Sequence, residues 1–228
     1  MISVRRSHER GHSQYSWLDS WHTFSFGEYY DPDNKGVSVL RVINDDTVIP
    51  GAGFETHSHR NMEIISYILE GTIEHKDSMD NITRLEAGEF QVMTAGTGVT
   101  HSEYNSSITD PVRFLQIWIR PSEKGLEPAY RQHKFPHEDG RQLIVSPDGR
   151  DGSLRINQDA TVERILLAAG DQTQIAVAED RTAYLHIVRG ELQLENIGLQ
   201  PGDGAAISSA SVGLRGTSDA EALLFDLP

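Results

Sequence analysis

The residues best suited to chemistry sit in two short stretches. Residues 51–63 read Gly-Ala-Gly-Phe-Glu-Thr-His-Ser-His-Arg-Asn-Met-Glu, and place His57 and His59 two positions apart. A β-strand repeats every two residues, so the two imidazoles share a face and can bind one ion through neutral ring nitrogens. The second stretch runs through the glycine-rich residues 94–98 to His101-Ser-Glu103, again two apart. If the two strands are neighbours in a barrel, three imidazoles and a carboxylate converge. Such a set leaves a divalent ion with a net charge of about +1 and open positions for a substrate oxygen or O2. It extends the two-histidine, one-carboxylate pattern of non-haem iron.

Other histidines have plainer readings. His22 lies among Trp17, Trp21, Phe24 and Phe26, and is expected to be structural within an aromatic strap or core. His8 and His12 fall in a polar segment expected to be mobile. His133 and His137 are separated by Pro136, which disfavours a helix, and are expected to face solvent. His75 is expected on a strand surface. Residues 94–98 lack the Gly-Lys-Ser/Thr of a phosphate-binding loop, and no Gly-x-Ser-x-Gly elbow occurs.

The elements that must position these groups are short. Residues 37–43, 63–69, 71–75, 88–93, 113–120, 183–188 and 191–194 read as strands, separated by Gly, Pro, Asp and Asn turns. The pattern predicts an all-β barrel or sandwich. Tyr-Ile-Leu-Glu-Gly71 and His-Ile-Val-Arg-Gly190 each precede a second glycine-led strand, which suggests two copies of one β unit. Residues 121–140, with Pro121, Pro128 and Pro136, read as a linker with room for a short helix.

Composition narrows the partners. The 228 residues carry a net charge of −14, with Arg5-Arg6 the longest cationic run, which argues against nucleic acid. Cysteine is absent, which removes disulfides, thiolate metal sites and cysteine nucleophiles. No apolar run approaches the about 20 residues of a membrane helix. The first residues lack a signal-peptide stretch, and the expected location is the cytoplasm.

Gly51, His57, His59 and Glu63 resemble the first cupin motif, with Gly71 one residue late. Gly88, Gly96, His101 and Asn105 resemble the second, with Thr94 where proline is usual and two extra residues before the histidine. These departures, His101-Ser-Glu103, the aromatic run from Trp17 to Phe26 and Leu-Gln-Ile-Trp118 resemble the pirin family of bicupins, of the bacterial quercetin 2,3-dioxygenase type. The resemblance implies two jelly-roll-like β-barrel domains, a metal-binding cupin over residues 1–125 and a degenerate, metal-free cupin over 126–228. It implies His57, His59, His101 and Glu103 as metal ligands. Glu63 then lies off the metal, as a candidate acceptor for a ligand histidine's other N–H. The implied cofactor is one divalent transition metal, foremost Fe(II), with Ni, Mn, Co, Cu or Zn as alternatives. The implied reaction opens a flavonol of the quercetin type with O2, Glu103 taking the hydroxyl proton from a small aromatic chelating substrate. The alternative is a non-enzymatic, iron-dependent regulator that binds a protein partner. A monomer is expected in either case.

Overall fold

Alternation of polar and apolar side chains sets the strands. In Thr72–Asp77 the charged Glu74 and Lys76 face solvent while Ile73, His75 and Asp77 are buried. In Val99–Asn105 the buried positions are Val99, His101, Glu103 and Asn105. Polar residues therefore occupy inward positions that a purely structural barrel would fill with aliphatics.

The structure, a computed structural model, describes residues 1–208 and 211–228. Two compact units are present. The first comprises Gly11–Phe135 and Leu154–Gln158. Its larger sheet has the order Ala129–Lys134, Glu89–Thr94, Glu63–Glu70, Val112–Ile119, Leu40–Val48, Leu18–His22 and Gly11–Gln14. Its smaller sheet has the order Gly53–His59, Val99–Asn105, Thr72–Asp77 and Ile82–Glu86. Pairing within both sheets is antiparallel.

The second unit comprises Met1–Arg10, Pro136–Ser153 and Asp159–Pro228. Its larger sheet runs Ile2–Arg5, Gly204–Ser208, Thr182–Arg189, Ala220–Leu227, Thr161–Leu167 and Gly140–Ser146. Its smaller sheet runs Gln172–Ala176, Ser211–Gly216, Leu192–Leu194 and Ile197–Leu199. The interior is aliphatic, with Ile165, Leu185, Ile187, Leu194, Ala205, Leu214 and Leu224 all buried. The fold is an all-β bicupin.

The repeat is visible in its turns. Gly71 and Gly190 both adopt positive φ, at 77° and 70°. A Cβ on Gly71 would meet the Pro111 carbonyl, and one on Gly190 the Asp219 carbonyl, so neither turn accommodates a side chain.

Each compact unit is assembled from segments that are not contiguous in the chain. Ile2–Arg5 pairs with Gly204–Ser208, and the buried Asp203 carboxylate accepts from the Arg6 guanidinium at 2.8 Å and the Ser7 N–H at 2.7 Å. The amino-terminal segment thus belongs to the second unit. His8 sits in the short turn that follows, and His12 lies in a strand, stacked on Trp21 at 4.0 Å. Both segments take part in regular structure. The proline-bounded stretch of 121–140 carries a strand rather than a helix. Ala129–Lys134 pairs with Glu89–Thr94, and Tyr130 anchors it by a 2.7 Å hydrogen bond to Thr83.

Candidate metal centre

The site begins with register. Gly53–His59 pairs antiparallel with Val99–Asn105 so that His57 lies opposite His101, and Val99 opposite His59. A bulge between His101 and Glu103 shifts the register toward Phe54. Ring centroids of His57, His59 and His101 are 4.4 to 4.9 Å apart. One ligand nitrogen from each lies within 4.8 Å of the others.

Burial favours the neutral form of two of these rings, His59 and His101. Burial lowers the His59 pKa to about 4, with further depression from His101 and His57. Burial likewise lowers His101 to about 3, with His57 and His75 adding to it. Neutral imidazole has the free lone pair that a metal requires. His57 Nδ1 donates to the Glu55 carbonyl at 2.7 Å, which places a proton on Nδ1 and leaves Nε2 as the nitrogen available to an ion. His101 is 1% exposed, and neither of its ring nitrogens has a hydrogen-bond partner among the described residues. A buried, neutral, unpartnered imidazole facing two others is what a cation would satisfy.

Glu103 lies across from His75 in register, and its carboxylate groups with His75 and His101 within the same 4.8 Å limit. Gln116 Nε2 donates to Glu103 Oε2 at 2.9 Å, and Ser66 Oγ to Oε1 at 3.4 Å. These partners come from a polar row across the larger sheet. Gln91 pairs with Ser66, Ser66 with Gln116, Gln116 with Asn44, and Asn44 with His22.

Two expectations are corrected here. Glu63 supports no ligand histidine. Strand alternation turns it to the face opposite Ser66, where its carboxylate accepts from Thr94 Oγ1 at 2.9 Å and Asn157 Nδ2 at 3.1 Å. Burial raises its pKa, against the pull of those hydrogen bonds. His75 is not on the surface. It is fully buried, its Nε2 is 2.9 Å from Asp77, and its ring is 5.3 Å from His101. The exposed Glu74 and Lys76 on either side were the available signal for its inward direction.

A cavity of about 360 Å3 opens onto His57, His59 and Glu103. Trp17, Leu18, Phe26, Phe54 and Trp118 form its apolar walls, and Trp118 sets its edge on His59 at 5.0 Å. Ser20, His22, Asn44 and Asp46 add a polar side. His22 is thus both packed against Phe26 and part of the cavity wall, with Asn44 Oδ1 2.9 Å from its Nδ1. Burial pushes the Asp46 carboxyl up to about 7, opposed by a hydrogen bond from Ser20 and helped by the nearby Asp45 and Glu103 charges. His133 and His137 are exposed and stand apart from the site.

A profile described as Pirin matches residues 3–119. This chain belongs to the pirin family. A second profile, described as the quercetinase C-terminal cupin domain, matches residues 143–227. Escherichia coli K12 quercetin 2,3-dioxygenase is 48% identical over 229 residues, covering 100% of this chain and 99% of that protein. The crystal structure of YhhW from Escherichia coli is 48% identical with a TM-score of 0.98, covering 100% of this chain and 98% of that one. Bacterial pirin YhhW in complex with nickel(II), also from Escherichia coli, gives a TM-score of 0.97 at 48% identity, with 100% and 99% covered. The likeness runs through both units and places this pirin among the family's enzymes. Its amino-terminal cupin carries a histidine and glutamate group able to hold a metal. No helix is long and apolar enough to cross a membrane among the described residues.

Proposed function

We propose that this pirin is a metal-dependent dioxygenase that opens the ring of a quercetin-type flavonol with O2. The proposed ligands are His57, His59, His101 and Glu103. Iron(II) is the proposed resident ion, since three imidazoles and a carboxylate extend the facial set typical of non-haem iron. The observation that carries the reading is the opening of the histidine cluster, with Glu103 beside it, into a cavity walled by aromatic rings.

A bound transition ion supplies Lewis acidity toward a chelating hydroxyl and one-electron chemistry toward O2. The remaining work falls to side chains. Trp17, Phe26, Phe54 and Trp118 pack the flat rings of the substrate and exclude water from the reacting carbon. Glu103 takes the flavonol hydroxyl proton, because it is the carboxylate that lines the cavity next to the histidines. Gln116 and Ser66 hold that carboxylate in place. Asp46, its carboxyl raised to about 7 by burial, offers a hydrogen bond to a ring hydroxyl on the cavity's polar side.

The test is oxygen uptake. Protein loaded anaerobically with iron(II) and mixed with quercetin is expected to consume O2, and metal-free protein is not. Full metal occupancy with no quercetin-dependent O2 consumption contradicts the reading.

A further inference from the structure

An imidazole that binds a metal normally gives its other ring N–H to an acceptor, which fixes tautomer and orientation. His57 has that acceptor in the Glu55 carbonyl, 2.7 Å away. His101 has none of its own in strand or turn: both of its nitrogens are buried and unpartnered among the described residues. Glu63, which sequence reasoning offered for this role, is committed to Thr94 and Asn157. The Glu103 oxygens accept from Gln116 and Ser66.

The residue left facing His101 is His75. It is 0% exposed, with its ring centroid 5.3 Å from that of His101 and a ring nitrogen within 4.8 Å of the His101 and Glu103 ligand atoms. Its Nε2 is bonded to Asp77 Oδ2 at 2.9 Å. The Asp77 carboxylate is itself pinned, with Oδ1 accepting from the Met79 N–H at 2.8 Å and the Asn81 N–H at 3.1 Å. A carboxylate accepts, so Nε2 of His75 carries a proton and Nδ1 is the ring nitrogen left to act as an acceptor toward His101. That Nδ1 is buried and has no partner among the described residues. The Tyr130 ring packs against the His75 ring at 4.8 Å and helps hold it in place.

We propose that His75 is a positioning residue: anchored by Asp77 through Nε2, it accepts the metal-free ring N–H of His101 at its Nδ1 and so sets the His101 imidazole for coordination. The inference rests on the metal centre proposed above. It assigns an Asp77–His75–His101 chain to the inner wall of the barrel, where sequence reasoning saw only a surface histidine.

Zinc(II) is a suitable probe because it is diamagnetic and redox-inert. His75→Leu removes the acceptor, whereas His75→Gln keeps a carbonyl in the Nδ1 position and an N–H for Asp77. In chelator competition, His75→Leu is expected to lower zinc affinity by about 10- to 100-fold, and His75→Gln to recover most of that loss. Nitrogen-15 imidazole spectra of zinc-loaded wild type are expected to show His75 protonated at Nε2 and bare at Nδ1. Zinc binding by folded His75→Leu within about twofold of wild type overturns the proposal. So does a proton on His75 Nδ1, or a loss in His75→Gln as large as in His75→Leu. The spectra and the glutamine variant keep the test decisive where His75→Leu fails to fold. A wild type that takes up no zinc contradicts the metal centre itself, and is thereby told apart from failure of the His75 role alone.

Discussion

Glu103 combines two duties, as a metal ligand and as the group that receives a substrate proton. Glu103→Gln keeps the volume and the contact with Gln116 but removes the anion. Metal affinity is expected to fall by about 10- to 100-fold, and oxygen uptake with quercetin to be lost even at saturating metal. Turnover retained at full occupancy moves the proton to another group. Asp46 gives a pH prediction of definite sign. Its pKa is about 7 in the folded protein against an ordinary 3.8. A raised folded pKa contributes stability that is complete below the unfolded value and is lost as pH rises through the folded one. Asp46→Asn escapes that loss, so it is expected to gain on wild type by about 1 kcal/mol per pH unit between pH 4 and 7 in metal-free protein. Denaturant midpoints across that range measure the gap, and a flat gap contradicts the assignment. His59 and His101, lowered to about 4 and 3, act in the opposite sense. Their part is complete above the ordinary 6.5 and is lost as pH falls toward those values.

At the scale of the element, the two hairpin turns are sensitive points. Gly190→Ala puts a Cβ against the Asp219 carbonyl at a backbone conformation that favours glycine. The expected destabilisation is about 1–3 kcal/mol, read from the denaturant midpoint, with the metal content of the first unit unchanged. A neutral result would remove the close approach from the explanation of the repeat. These turns were legible in the sequence because Gly71 and Gly190 end similar apolar runs. So were the strands bearing His57, His59 and His101, because the candidate ligands fall two residues apart in each. What could not be read was which face a polar residue takes when its neighbours are polar too. Glu63 was offered by motif position as an acceptor for a ligand histidine's N–H, but strand alternation sets it on the face opposite Ser66, where Thr94 and Asn157 hold it. His75 was misplaced for a related reason: a histidine between Glu74 and Lys76 looks solvated until the inward set of Ile73, His75 and Asp77 is seen. The strand within residues 121–140 was hidden by its flanking prolines, which mark its ends rather than exclude it.

At the scale of the whole molecule, one plan has been used in two ways. The second unit fills its interior with Leu185, Ile187, Ala205 and Leu214. The first unit buries Ser66, Gln91, Gln116 and Asn44. Such burial costs stability wherever partners are missing. Gln91 has no partner for either amide atom among the described residues, and the same is true of both nitrogens of His101. The unpartnered His101 ring stands beside His57, His59 and Glu103, where a cation would satisfy it. The most direct measurement is anomalous diffraction at the metal edge from crystals of iron- or nickel-loaded protein. A single peak bonded to His57, His59, His101 and Glu103 at about 2.0–2.2 Å is expected. A peak bonded instead to Glu63, or none within bonding distance of the three histidines, would contradict the metal centre on which the proposed chemistry rests.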